Sequence, residues 1–198
     1  MKQETQIIKH EQKPKITIGI LRTYNHESLL AFLRSKGLTI EQFRSEFNYR
    51  TRTALLALAP ANVVEYALPF ENITPTVGFE VITKMLTGNA SALEELEVMV
   101  HAFGDDNTAP ADGDTALGNE TVRKLLSSKS YSGASAFYTV FYDLSEGNGT
   151  HEEMGLFANA DPGTPDDGTL WDRSLISITK TGTQSLSIDY EDSFVNNI

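Results

Sequence analysis

Residues 137–144 read "FYTVFYDL", and the disposition of their faces decides the fold. In a strand successive side chains point to opposite sides. Phe137, Thr139 and Phe141 therefore share one face, and Tyr138, Val140 and Tyr142 share the other. Aromatics on both faces describe a strand buried on one side and covered on the second. The cover is another part of the chain, a neighbouring subunit or a bound sugar, and packing within or between chains is the expected case.

Working outward, turn-formers bracket this strand, "SGA" before it and "SEGNG" after it. The same alternation recurs in "LEVMVHAF" (96–103), "TVRKLLSSKSYS" (121–132), "EEMGLFAN" (152–159), "RSLISITK" (173–180) and "QSLSIDYEDSFV" (184–195). Loops rich in Gly, Asp and Pro separate them: "GDDNTAPADGD", "DPGTPDDG" and "KTGTQ". Six short strands at this spacing, antiparallel by loop length, predict a β-sandwich or an open barrel over 91–198, of which the sandwich is the expected one.

Towards the N-terminus the period becomes helical. "ITIGIL" (16–21) reads as a short strand, after which Asn25 caps a helix over 26–36 that Gly37 ends. Thr39 and Gln42 fit a capping box for a second helix. "TALLALA" (53–59) suits a buried helix or a strand, and Pro60 stops either. In "ITPTVGFEVITKMLTGN" Thr74 is the expected cap, Gly88 the exit, and Val77, Val81, Ile82 and Met85 the buried stripe. Ser91 to Glu94 then caps a further turn. The expected fold class is thus α+β: a polar arm over 1–15, a helix-rich adaptor region over 16–90, and the antiparallel β-sandwich.

The formal net charge is −11, unevenly spread. Residues 1–90 carry 11 Lys and Arg against 8 Asp and Glu, whereas residues 91–198 carry 5 against 19. This balance argues against a nucleic-acid partner, which needs cations against phosphate. The acidic half is either a solvated surface or the seat of a neighbour's basic half. There is no cysteine, which removes disulfides and thiol nucleophiles. No apolar run reaches the length of a membrane span, and no signal peptide is read at the N-terminus.

Residues 146–157, "EGNGTHEEMGLF", hold the densest potential chemistry. A zincin helix needs a second histidine four positions after His151, and that position is Gly155. Glu152 and Glu153 are adjacent and point to opposite faces of a strand, unlike a glycosidase pair. The glycines read as bends, with Met154, Leu156 and Phe157 as apolar contacts. Asp105, Asp106, Asp112 and Asp114 match no EF-hand spacing and suit Asx-turns. His10, His26, His101 and His151 have no i, i+4 partner. Trp171, the one tryptophan, reads as an anchor in a core or an interface. No catalytic residue, metal ligand or cofactor is expected.

Three motifs in order carry a resemblance. Gly104, Thr108, Ala109, Pro110, Asp114, Thr115, Ala116, Leu117 and Glu120 form the first. Asn148, Gly149, Thr150, Glu153, Gly155, Leu156 and Phe157 form the second, and Arg173, Lys180, Ser185, Leu186, Ile188, Tyr190 and Phe194 the third. Over residues 77–195 the chain resembles a group of bacteriophage virion proteins found in tails, fibres, collars or baseplates. Asp106 stands where that pattern has a second glycine, and residues 1–76 lie outside the resemblance. The resemblance implies a non-enzymatic virion component that binds copies of itself in a symmetric oligomer and neighbouring phage virion proteins, without nucleic acid or membrane. A head-decoration or head-fibre protein and a carbohydrate- or receptor-binding module are the alternatives. Within this frame Leu117 tucks under the sheet, Asp114 caps the turn, and Glu153 pairs with Arg123 or Arg173.

Overall fold

In the computed structural model, which describes residues 16–92 and 96–194, both faces of the central aromatic strand are covered by this chain. The described elements run β1 (Ile16–Asn25), α1 (His26–Ser35), α2 (Ile40–Ser45), α3 (Tyr49–Leu56), β2 (Val64–Glu71), α4 (Thr76–Thr87), β3 (Val98–Gly104), β4 (Glu120–Leu125), β5 (Ser128–Ser132), β6 (Ser135–Tyr142), β7 (Gly149–Ala158), β8 (Thr169–Lys180) and β9 (Gln184–Ser193). The strands form two antiparallel sheets, one in the order β2-β1-β9-β6-β5 and the other β4-β3-β7-β8. Val140 and Tyr142 face the second sheet, in a core with Leu21, Ile188, Tyr190, Phe103, Met154, Leu156 and Trp171. Phe141 faces the helices, where it meets Tyr24, Leu29, Phe32, Phe43 and Leu56.

The local signals explain the helices. Asn25 Oδ1 accepts the Ser28 amide at 3.0 Å, and Thr39 and Gln42 form the reciprocal capping box. Asn48 and Thr51 form a second box that starts α3, so "TALLALA" enters as the end of a helix. Gly88 exits α4 with a φ of 66°, a left-handed conformation that suits glycine. The α4 start differs from expectation: Pro75 occupies the cap position and no side chain caps the helix. Met85 is 55% exposed and leaves the buried stripe, which reduces to Val77, Val81 and Ile82. The expected turn over 91–94 lies partly outside the described residues. Because Thr39 is exposed and serves only the cap, Thr39→Ala is expected to lower stability by about 1 kcal/mol. Chemical denaturation of the two proteins measures this.

Residues 16–90 hold the four described helices, but their strands β1 and β2 belong to the five-stranded sheet of the sandwich. β1 inserts between β2 and β9, in register with β9 from Ile16↔Ser193 to Asn25↔Gln184. The reason is the backbone: a central strand satisfies its amides and carbonyls on both sides, and β2 and β9 supply the two ladders. β2 itself carries Pro69, which reads as a breaker in sequence but is compatible with an edge. The expected single strand over 121–132 is also divided. The Leu126 amide donates to Met99 O in one sheet, and the next amide, of Ser127, donates to Thr139 O in the other. The chain thus crosses between sheets there, giving β4 and β5.

The charge asymmetry closes partly within the molecule. Asp189, fully buried on β9, meets Arg22 Nη1 at 3.1 Å and Arg52 Nε at 3.3 Å, and accepts the Thr139 hydroxyl at 2.8 Å. Arg50 pairs with Glu191, and Arg44 with Asp143 at 3.4 Å. Arginines of the N-terminal stretch thus fasten α2 and α3 to acids of the C-terminal half.

Candidate functional site

Along β7 the side chains of Met154 and Leu156 enter the core between the sheets, which leaves Glu153, Gly155 and Phe157 on the outer face of the four-stranded sheet. The loop 105–119 folds over that face. Glu153 has no exposed surface, and its two oxygens accept three hydrogen bonds. The Gly118 amide donates at 3.0 Å, the Asn119 amide at 2.9 Å and Arg173 Nε at 2.8 Å. Arg173 extends the clamp outward: Nη1 donates to Asp114 Oδ2 at 2.6 Å and Nη2 to Thr108 O at 3.1 Å. Asp114 Oδ2 also accepts the Ala111 amide at 2.9 Å.

Beneath the loop lies a small apolar cluster of Leu117, Phe157, Val100, Ala102, Ala160 and Leu170. Gly155 permits this approach, since a Cβ there would lie 2.7 Å from Asp172 O and 3.1 Å from the Leu117 side chain. Burial works to raise the Asp114 pKa, but the Ala111 amide and Arg173 hold it below the usual carboxylate range. Burial likewise opposes the Arg173 charge, and its hydrogen bonds to Asp114 and Glu153 outweigh that and raise its pKa.

Of the residues singled out in sequence, Glu153, Arg173, Asp114, Leu117 and Phe157 meet here. Arg123 does not bind Glu153. Its Nε and Nη2 donate to Glu120 at 2.6 and 2.7 Å, and its Nη1 donates to the carbonyls of Asp161 and Asp167, which ties down the 159–168 loop. The guanidinium also lies 5.1 Å from the Phe157 ring centroid. Trp171 is elsewhere, in the core between the sheets, with Nε1 donating to Asp192 at 2.8 Å.

An open hollow of about 350 Å³ borders the clamp, lined by Asp106, Thr108, Asp114, Leu117 and Arg173 among others. Its one cationic group is already engaged by two carboxylates, so the chemistry of the arrangement is to hold loops in place. Among the described residues, no group of three or more His, Cys, Asp or Glu is placed to hold a metal ion. No described helix is long and apolar enough to cross a membrane.

Two histidines sit in the core between the sheets. His101 Nδ1 lies 2.9 Å from the Tyr142 hydroxyl, and His151 stacks on Phe103 at 4.1 Å with Nε2 at 2.9 Å from Gly147 O. Burial, and secondarily His151, lowers the His101 pKa to about 3, and burial also lowers that of His151. The sequence marked neither as a pair, because they lie on different strands and meet only through Phe103. The Asp189 cluster was equally unmarked, since Ser187, Asp189 and Glu191 alternate like a solvent-facing row.

Comparison of this chain with protein-family models, with curated proteins and with solved structures finds no match. The fold and the clamp therefore define the molecule by themselves: an antiparallel β-sandwich with a helical cover on one sheet and a loop strapped across the other.

Proposed function

We propose that this chain is a structural component of a bacteriophage virion, a tail protein of the collar, baseplate or fibre-attachment kind, that acts by symmetric self-association and by docking to neighbouring virion proteins. The observation that carries the reading is the convergence of the three motifs on one clamp. Gly104 and Leu117 come from the first, Glu153, Gly155 and Phe157 from the second, and Arg173 from the third. Those of the resemblance residues that meet there fix the shape of the outer face, while Leu156, Leu186, Ile188 and Tyr190 pack the core between the sheets, so that the work of both groups is architectural rather than catalytic. A fixed outer face suits a protein whose task is to present one geometry repeatedly to its neighbours, and closed rotational symmetry is the usual arrangement for copies of one chain.

The test is a particle experiment. Phage carrying a gold label on this chain are purified and imaged, with the label expected at a fixed site on the tail. Label on the head instead would move the protein to the decoration class, and particles free of the chain would overturn the proposal.

A further inference from the structure

The two sheets have four edges, β2, β5, β4 and β8, and among the described residues three of them meet other parts of the chain. β2 and β8 are brought together by the bridge between Ile73 and Arg173, and α4 packs against β8 so closely that a Cβ on Gly78 would lie 2.6 Å from Trp171 O. β4 is met by the 159–168 loop, through Arg123 and through the Asp166 amide on Glu120. Among the described residues β5 pairs with β6 alone, and Lys129 to Ser132 are all exposed, with Tyr131 at 85%. The strand has no proline, whereas the β2 edge, also exposed at residues 65–67, carries Pro69. A row of free backbone groups on a sheet edge is a template for another strand.

We infer that β5 is a self-pairing edge, through which two copies join antiparallel about Ser130 so that their five-stranded sheets run on as one. This names the surface for the self-association proposed above and rests on that reading. The choice of a second copy as occupant comes from the sequence of the strand, "SKSYS". Antiparallel pairing centred on Ser130 sets Ser130 against its own counterpart, Ser128 against Ser132, and Lys129 against the partner's Tyr131. Residues directly opposite share a face. The ammonium of Lys129 therefore meets the ring of the partner's Tyr131, a cation–π contact made twice across the two-fold axis. No like charges are opposed, and the serines leave the backbones free to close. Lys129 is held on that face by its ion pair with Glu97 of the same chain. The same register would place Tyr131, the most exposed of the large apolar side chains among the described residues, under cover.

The absence of native cysteine makes the test direct. Ser130→Cys puts one thiol beside the axis, and Leu58→Cys, at a site 67% exposed in the turn after α3, is the control. In the full chain, oxidation should convert Ser130→Cys to a covalent dimer while Leu58→Cys stays monomeric on non-reducing gels. By light scattering, Tyr131→Lys, which sets lysine against lysine, should weaken association at least tenfold. Tyr131→Glu, which sets a carboxylate against Lys129, should preserve it. An associating chain whose Ser130→Cys crosslinks no faster than the control would overturn this edge and leave the virion reading standing. Equal loss in both Tyr131 variants would overturn the Lys129 pairing. A chain monomeric at every concentration and absent from particles would overturn both readings.

Discussion

Glu153→Ala is expected to melt roughly 10 °C below the parent protein. Removing one partner of a buried ion pair leaves the other charged and unsolvated, at a cost of about 3–5 kcal/mol. In a chain of this size each kcal/mol lowers the melting temperature by about 2–4 °C. The loss here has three parts: Arg173 keeps a guanidinium that is 4% exposed, and the amides of Gly118 and Asn119 lose their acceptor. The same variant should raise hydrogen exchange across 106–119 while exchange in β1 and β9 changes little. Replacing both Glu153 and Arg173 by methionine should recover part of the loss, because no buried charge is then stranded. A single variant that melts with the parent would show that the loop is held by Leu117 and its apolar contacts alone.

The second large effect is in acid. His101 is neutral in the folded protein, with its pKa lowered to about 3 from 6.5, so the unfolded chain binds a proton that the folded chain refuses. The stability this contributes is fully present above pH 6.5 and is lost as pH falls towards 3. Below pH 6.5 the slope is about 1.4 kcal/mol per pH unit from this group. Over pH 6.5 to 4.5 the parent should therefore lose about 2 kcal/mol through His101, and His151, lowered in the same direction, adds to the loss. Asp106, Asp114 and Glu146 are also held below their ordinary values, and their contribution is lost at lower pH, as it falls through the carboxylate range. His101→Phe keeps an aromatic ring beside Phe103 and Tyr190 and removes the titration. Its melting temperature should fall less steeply than the parent's between pH 6.5 and 4.5. Parallel curves for the two proteins would mean that His101 is protonated without cost.

These two predictions fall on either side of what the sequence made legible. Glu153 and Arg173 stood out because motif residues at separated positions had to meet, and the choice between Arg123 and Arg173 was left to the fold. The register of β7 with β8 settles it, setting Glu153 against Leu175 and Gly155 against Arg173, so that Arg173 Nε reaches the carboxylate. His101 and His151 gave no signal, since an isolated histidine in an alternating strand says nothing of what lies across the sheet. Asp189 misled in the opposite sense: a polar row on β9 looks like a wet face until α2 and α3 cover it with Arg22 and Arg52 beneath.

What the sequence determined by itself is local. The caps at Asn25 and Thr39, the left-handed exit at Gly88 and most of the strand segments follow from hydrogen bonds and periodicities that close within a few residues. What only the tertiary structure decided is long-range: that β1 joins β9, that residues 121–132 divide between two sheets, and which arginine answers which acid. Those choices depend on partners far apart in sequence, 167 positions between Arg22 and Asp189, and nothing in either local stretch encodes the other. The physical reason is that a strand's pattern fixes which face is buried, while its neighbour is selected by the packing of the whole molecule.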